Sequence, residues 1–177
     1  MLYLKLMLIL GIDPGTATTG FGLLRTNGIL DKYELLDWGW IKTDKEGMRG
    51  DRLVTIHQKI LALLKKHKPD VLAIERLFFA TNAKTAMAVS ESLGVIRLAA
   101  AMHKISVFDY APMTIKLMVG GSGRADKALM KQTVRKLLSF RATNHQKTYF
   151  VDVCDACGVA ICHSRKSMLN SEKRGGE

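Results

Sequence analysis

Two short apolar runs, each closed by a carboxylate, constrain this chain more than any other feature. The first is Leu6–Asp13, followed at once by Pro14 and Gly15. The second is Asp70–Glu75, preceded by Pro69. An apolar run of this length between turn residues reads as a strand buried on both faces, the kind a sheet uses when helices cover it above and below. If the two strands are parallel neighbours, Asp13 and Glu75 emerge at one sheet edge, where α/β folds build their sites.

The rest of the chain supplies the covering layers. Gly20–Arg25 and Tyr33–Lys42 read as strands, with Thr26-Asn27-Gly28 giving hairpin-turn chemistry between them. Asp51–His67 carries Leu53, Ile56, Ile60, Leu61, Leu63 and Leu64 at helical spacing and stops at Pro69. An alanine-rich helix is expected over Ala83–Lys104, a fifth strand over Ile105–Tyr110 and a short helix over Met113–Val119. After the Gly120–Gly123 break come a basic helix, Lys127–Phe140, and a last helix, Asp152–Arg165. The order predicts an α/β fold, a mixed five-stranded sheet flanked by helices. The small residues of 83–104 (Ala86, Ala88, Ser90, Ser92, Gly94, Ala99) suit either a subunit interface or an internal packing face. Trp38 and Trp40 stand on the third strand, where one is expected to face the core.

A chain of 177 residues is long enough for one core and too short for two ordinary domains. Residues 1–165 therefore read as a single domain, and 166–177 as a basic, frayed tail. The N-terminal run is broken by Lys5, is too short to span a bilayer, and lacks a basic n-region and a small-residue cleavage site. It reads as a buried strand, and no membrane association is expected. The three cysteines, Cys154, Cys157 and Cys162, crowd into one stretch, which fits a reducing cytoplasm better than a disulfide framework. With His163 they suggest a zinc site only weakly, because structural zinc sites draw ligand pairs from two separated places. Small buried helix residues are the favoured reading.

Lysine and arginine total 27 against 16 acids, a formal charge of +11. On a small domain such a surplus points to a polyanionic partner, most often nucleic acid. Lys116, Arg124, Lys127, Lys131, Arg135 and Lys136 concentrate it. Against that background the acids stand out. Asp152 and Asp155 are three apart on an expected helix, which puts them on one face. With Asp13 and Glu75 they make four carboxylates that repel one another unless a hard divalent cation, Mg²⁺ or Mn²⁺, lies among them. Two such ions about 3.5–4 Å apart are the usual device for in-line phosphodiester cleavage. Each acid alone reads equally well as a turn former, a solvated strand end or a helix-cap residue; four together in a basic chain favour the metal.

These residues resemble a known family. Gly11-Ile12-Asp13-Pro14-Gly15 with Thr19-Gly20-Phe21-Gly22, then Ala73–Asn82, then Asp152-Val153-Cys154-Asp155-Ala156, are similar in order to the RuvC Holliday-junction resolvases over about Met7 to His163. The resemblance implies a ribonuclease-H-like fold, a homodimer, and paired metal-dependent nicks across a four-way DNA junction. It implies that Asp13, Glu75, Asp152 and Asp155 are catalytic and hold two Mg²⁺ ions per subunit, with Mn²⁺ able to substitute. It further implies that Lys116 and Lys127 lie near the scissile phosphate and the junction backbone, that Phe78 stacks on bases at the crossover, and that RuvA and RuvB are the motor partners; Arg76, and Arg124 and Lys131 of the basic cluster, are candidate DNA contacts as well. The family's last helix continues Asp-Ala-Leu-Ala, whereas here it reads Asp155-Ala156-Cys157-Gly158; a mid-helix glycine costs about 1 kcal/mol relative to alanine. Three rivals share the pattern in part. They are a non-catalytic nucleic-acid-binding module on the same fold, a ribonuclease-H-like nuclease with another substrate, and an actin-like ATPase, which needs roughly twice the length.

Overall fold

The computed structural model describes residues 6–76, 83–140 and 149–174. Five strands form one sheet: β1 (Met7–Asp13), β2 (Thr18–Thr26), β3 (Tyr33–Lys42), β4 (Val71–Glu75) and β5 (Ser106–Tyr110), in the order β3-β2-β1-β4-β5. β1 is central. It pairs antiparallel with β2 and parallel with β4, in a register that sets Ile12 beside Ile74. The acids at the next positions, Asp13 and Glu75, therefore stand at the same end of adjacent strands, as expected. Among the described residues five helices flank the sheet: α1 (Arg49–His67), α2 (Ala83–Met102), α3 (Pro112–Gly120), α4 (Lys127–Leu137) and α5 (Phe150–Arg174).

Strand alternation sorts the two faces. Leu10, Ile12, Leu23, Leu72 and Ile74 point one way, into a core with Ile56, Ile60 and Leu64 of α1 and Leu93, Ile96 and Ala99 of α2. Ile9, Leu24 and Ala73 point the other way, into a core with α3, α4 and α5. Asp13 has the parity of Ile9, and Glu75 that of Ala73. Both acids thus face the α5 side. Among the described residues no helix is long and apolar enough to cross a membrane.

Three expectations change. Trp38 and Trp40 are two apart on one strand and so share a face: Trp38 packs edge-on to Phe140 at 4.6 Å, and Trp40 lies 5.1 Å from Tyr149. Both are half-buried. The last helix does not stop at Arg165 but runs to Arg174. Arg165 anchors the helix where the expected segment ended, donating to Asp31 of the β2–β3 hairpin at 2.8 Å and to the Met118 carbonyl. Beyond it, Ser167 and Ser171 hydroxyls donate back to carbonyls of their own helix. Gly158 does not break the helix. Finally, the small residues of α2 divide between the two readings: Ala86, Ser92, Ala99 and Ala100 are buried inside the subunit, whereas Gly94 is exposed beside Met87, Leu98 and Met102.

Candidate active site

One cavity of about 470 Å³ opens at the carboxyl end of β1 and β4, and its lining includes all four acids singled out from the sequence. Asp13 comes from the end of β1, Glu75 from the end of β4, and Asp152 and Asp155 from the first turns of α5. Arg76, Lys116 of α3 and Lys127 of α4 share the lining with Pro14, Pro112, Ile115, Met130 and Val151. Arg76 is fixed in place because its backbone N–H donates to the Tyr110 carbonyl at 2.8 Å, continuing the β4–β5 ladder one step past the strand. Lys127 opens α4, whose N-terminus is capped by the Asp126 carboxylate accepting from the Leu129 N–H at 2.8 Å.

What lets α5 reach the strands is a feature the sequence reading passed over. On the α5 face the facing positions of β1 and β2 are glycines: Gly11 pairs with Gly22, and Gly20 pairs with Asp13. A Cβ on Gly20 would lie 2.5 Å from the backbone carbonyl carbon of Asp152 and 3.1 Å from its Cβ. One on Gly11 would collide with the Ala156 carbonyl and lie 2.9 Å from the Ala160 Cβ, and one on Gly22 would strike the Cys157 sulfur. The helix backbone therefore rests on the sheet backbone with almost nothing between them, and this depth brings Asp152 and Asp155 to Asp13. The signal was present as Gly20-x-Gly22 two residues apart in a strand, where glycine marks a close backbone approach.

The electrostatics follow from that packing. Burial is the largest cause of a raised pKa at all four acids. Asp13 is pushed up to about 8, with Asp155, Glu75 and Asp152 adding to the burial and Lys127 alone opposing it. Glu75 is raised next by Asp155, while Lys127 and Lys116 pull it down. Among the described residues none of the four has a cation within 4.0 Å. No trio of acid, cysteine or histidine side chains there is already closed into a metal cage. A set of hard, anionic, unpaired oxygens around one cavity fits a divalent ion such as Mg²⁺ or Mn²⁺.

The remaining basic residues separate from the pocket. Lys131 lines an open groove on the flank of α4 together with Ala128, Gln132, Arg135, Lys136, Ser139 and Phe140. Arg124 is exposed on the α3–α4 loop and does not line the acidic cavity. Phe78 and Phe79 lie outside the described residues. The cysteines are buried in α5, and burial pushes Cys154 up to about 11 and Cys162 up to about 12, which keeps the thiols protonated. His163 is buried too, with a ring nitrogen 2.7 Å from the Tyr110 hydroxyl and a pKa lowered by burial to about 4. These residues are part of the core.

The class of molecule follows from fold and pocket together. A mixed sheet in this order, with an acid ending each of two parallel strands and a second pair of acids on the helix that crosses them, is the ribonuclease-H-like architecture. Thermus thermophilus RuvC, solved in complex with a Holliday junction substrate, superposes with a TM-score of 0.82 at 28% identity, covering 93% of this chain and 97% of that one. The yeast mitochondrial Holliday junction resolvase Ydc2 shares the fold at a TM-score of 0.64 and 14% identity. The family described as crossover junction endodeoxyribonuclease RuvC matches residues 9–163. Its Alkaliphilus metalliredigens member is 39% identical over 165 residues, 93% of this chain and 97% of that relative. The Alkaliphilus oremlandii member is 41% identical over 158 residues. The chain belongs to the RuvC family of crossover junction endodeoxyribonucleases.

Proposed function

We propose that this chain resolves four-way DNA junctions by hydrolytic nicks made at the Asp13, Glu75, Asp152 and Asp155 pocket with the help of divalent cations, two Mg²⁺ ions per subunit by family resemblance. One observation carries the reading: four acids from three separate elements meet in one cavity, unpaired, at the end of an otherwise basic surface. Bound there, the cations supply Lewis-acid activation of water and neutralise charge on the leaving oxygen; Mn²⁺ has the same ligand preference. The side chains do the rest. Lys127 and Lys116, which line the same cavity as the acids, offset the repulsion that a carboxylate-lined cavity presents to a phosphodiester. Arg76, anchored through its backbone, holds charge at the rim. Lys131 and Arg124 stand outside the cavity, where they meet flanking phosphates, and Phe78 is assigned base stacking at the crossover by family resemblance.

Paired nicks need two sites. The exposed Met87, Leu98 and Met102 of α2 give the subunit an apolar face for a second copy. RuvA and RuvB are the expected motor partners in a cytoplasmic recombination and repair system. The test is cleavage of synthetic four-way junction, linear duplex and RNA–DNA hybrid, each with Mg²⁺ and with chelator. Cation-dependent nicks confined to the junction are expected. Tight junction binding with no nicking under any divalent cation would make the protein a binding module, and preferential cutting of the hybrid would make it a different nuclease.

A further inference from the structure

The groove on the flank of α4 is separate from the acidic cavity and chemically its opposite. Lys131, Gln132, Arg135, Lys136 and Ser139 line a volume of about 720 Å³, and no acid is among the lining residues. None of its three cations makes an ion pair with an acid among the described residues. Two of them are held in place from below. The Lys131 ammonium lies 5.5 Å and the Arg135 guanidinium 5.9 Å from the centre of the Phe150 ring, and the Arg135 Nε donates to the Phe140 carbonyl at 3.4 Å. Phe150 itself is buried. The ring quadrupole attracts both cations and helps hold them at the groove.

The spacing narrows the choice of anion. Lys127, Lys131 and Arg135 recur every four residues, about 6 Å along the helix axis per step. Each step also turns about 40° round the axis, so the charges wind from the acidic cavity onto the flank. A row at that interval suits a polymer of phosphates better than a single small anion. A free phosphate or a nucleotide engages one or two cations and leaves the rest facing one another.

Resting on the proposed junction-cutting role, the geometry points to a second phosphate-binding groove, built by Lys131, Arg135 and Lys136 with Gln132 and Ser139, that grips the DNA backbone of a junction arm beside the cut site and adds affinity without entering the chemistry. It assigns Arg135 and Lys136 a role, and it separates two kinds of basic residue on one helix. Lys127 acts on the phosphate at the cavity; the later turns hold DNA that is not cut.

The experiment compares wild type with Arg135→Gln and Lys136→Gln, singly and together, on a four-way junction. Binding is followed from 50 to 300 mM salt in chelator, and single-turnover nicking is followed in Mg²⁺ at saturating protein. The double variant should bind roughly tenfold more weakly, with the salt slope shallower by about 2, about 1 per lost phosphate contact. Its nicking rate constant at saturation should stay within about twofold of wild type, since uniform binding is what has been lost. Methylphosphonates placed one at a time along the strands near the cut should weaken wild type at two or more phosphates and leave the double variant indifferent to those same positions. Lys136→Glu, which touches no aromatic ring, repeats the binding test should Arg135→Gln melt early. An unchanged salt slope in the double variant and in Lys136→Glu overturns the groove. So does a loss confined to the rate constant at saturation, because the cations would then belong to the chemistry. Failure of wild type to nick at all strikes the junction-cutting role and leaves the binding result readable.

Discussion

The two faces of the sheet are built on opposite plans. Toward α1 and α2, β1, β2 and β4 present Leu10, Ile12, Leu23, Leu72 and Ile74, all fully buried against branched aliphatic side chains. Toward α5, the same strands present Ile9 and Leu24 at one end, then Gly11, Gly20, Gly22 and Ala73, then acids at the ends of β1 and β4. The first face takes its stability from large side chains between layers. The second gives up that filling at Gly11, Gly20 and Gly22, where a helix backbone lies directly on the strands and brings four acids together. One sheet therefore holds a stabilising side and a working side, separated by nothing but strand parity.

Three changes break this division most severely. Asp13→Asn, Glu75→Gln or Asp155→Asn should each lower nicking by about a hundredfold or more while junction binding stays within a few fold, because a cation site stabilises transition-state charge, whereas phosphate contacts set affinity. Wild-type rates in any of them would remove that acid from the site. Gly20→Ala tests the working side from beneath. Its methyl meets the Asp152 backbone, which cannot swing aside as a side chain can, so α5 must lift. A shift of about 1 Å at reacting groups costs on the order of 10²-fold in rate. Nicking and cation affinity in Gly20→Ala should fall together, and normal values for both would show that the helix has room to spare.

On the stabilising side, Ile60→Ala in α1 should cost about 2–5 kcal/mol of folding free energy and leave the cation affinity of the folded protein unchanged. Chemical denaturation with and without Mg²⁺ measures both.

Asp13 links the two faces through pH. Its carboxyl titrates near 8 in the fold against 3.8 in an unperturbed chain. Between those values the folded protein keeps a proton that the unfolded chain has released, so rising pH weakens the cation-free fold until Asp13 itself ionises. Asp13→Asn removes this penalty. In chelator its melting temperature should decline less from pH 5 to pH 8 than that of wild type, and parallel declines would mean that Asp13 is not protonated in the fold. The smallest effect concerns Gly158. A Cβ there would meet Val134 at 3.7 Å and Met130 at 3.9 Å, ordinary contacts. Gly158→Ala should stabilise the protein by about 1 kcal/mol, and destabilisation in a thermal melt would mean that α4 and α5 are packed too closely for a methyl.

The mixed five-stranded sheet and the three elements that carry the four acids were legible because they rest on local signals. Asp13 and Glu75 close apolar runs, and Asp152 and Asp155 keep the spacing of one helix face. The depth of α5 was not legible, since a glycine in a strand does not say which backbone lies over it. Nor was the contact of Arg165 on α5 with Asp31, a partner far away in the chain. The tryptophans were misread for a simpler reason, because residues two apart on a strand always share a face. The basic cluster looked like one patch in sequence, and only the winding of α4 divides it between cavity and groove.

The central claim is that the four acids form one cation-binding, DNA-cutting centre, and anomalous diffraction from crystals grown with Mn²⁺ tests it most directly. Density within coordination distance of Asp13, Glu75 and at least one of Asp152 and Asp155 is the result expected, lost in Asp13→Asn crystals. An empty cavity at saturating Mn²⁺, or ions bound only elsewhere on the chain, would contradict it.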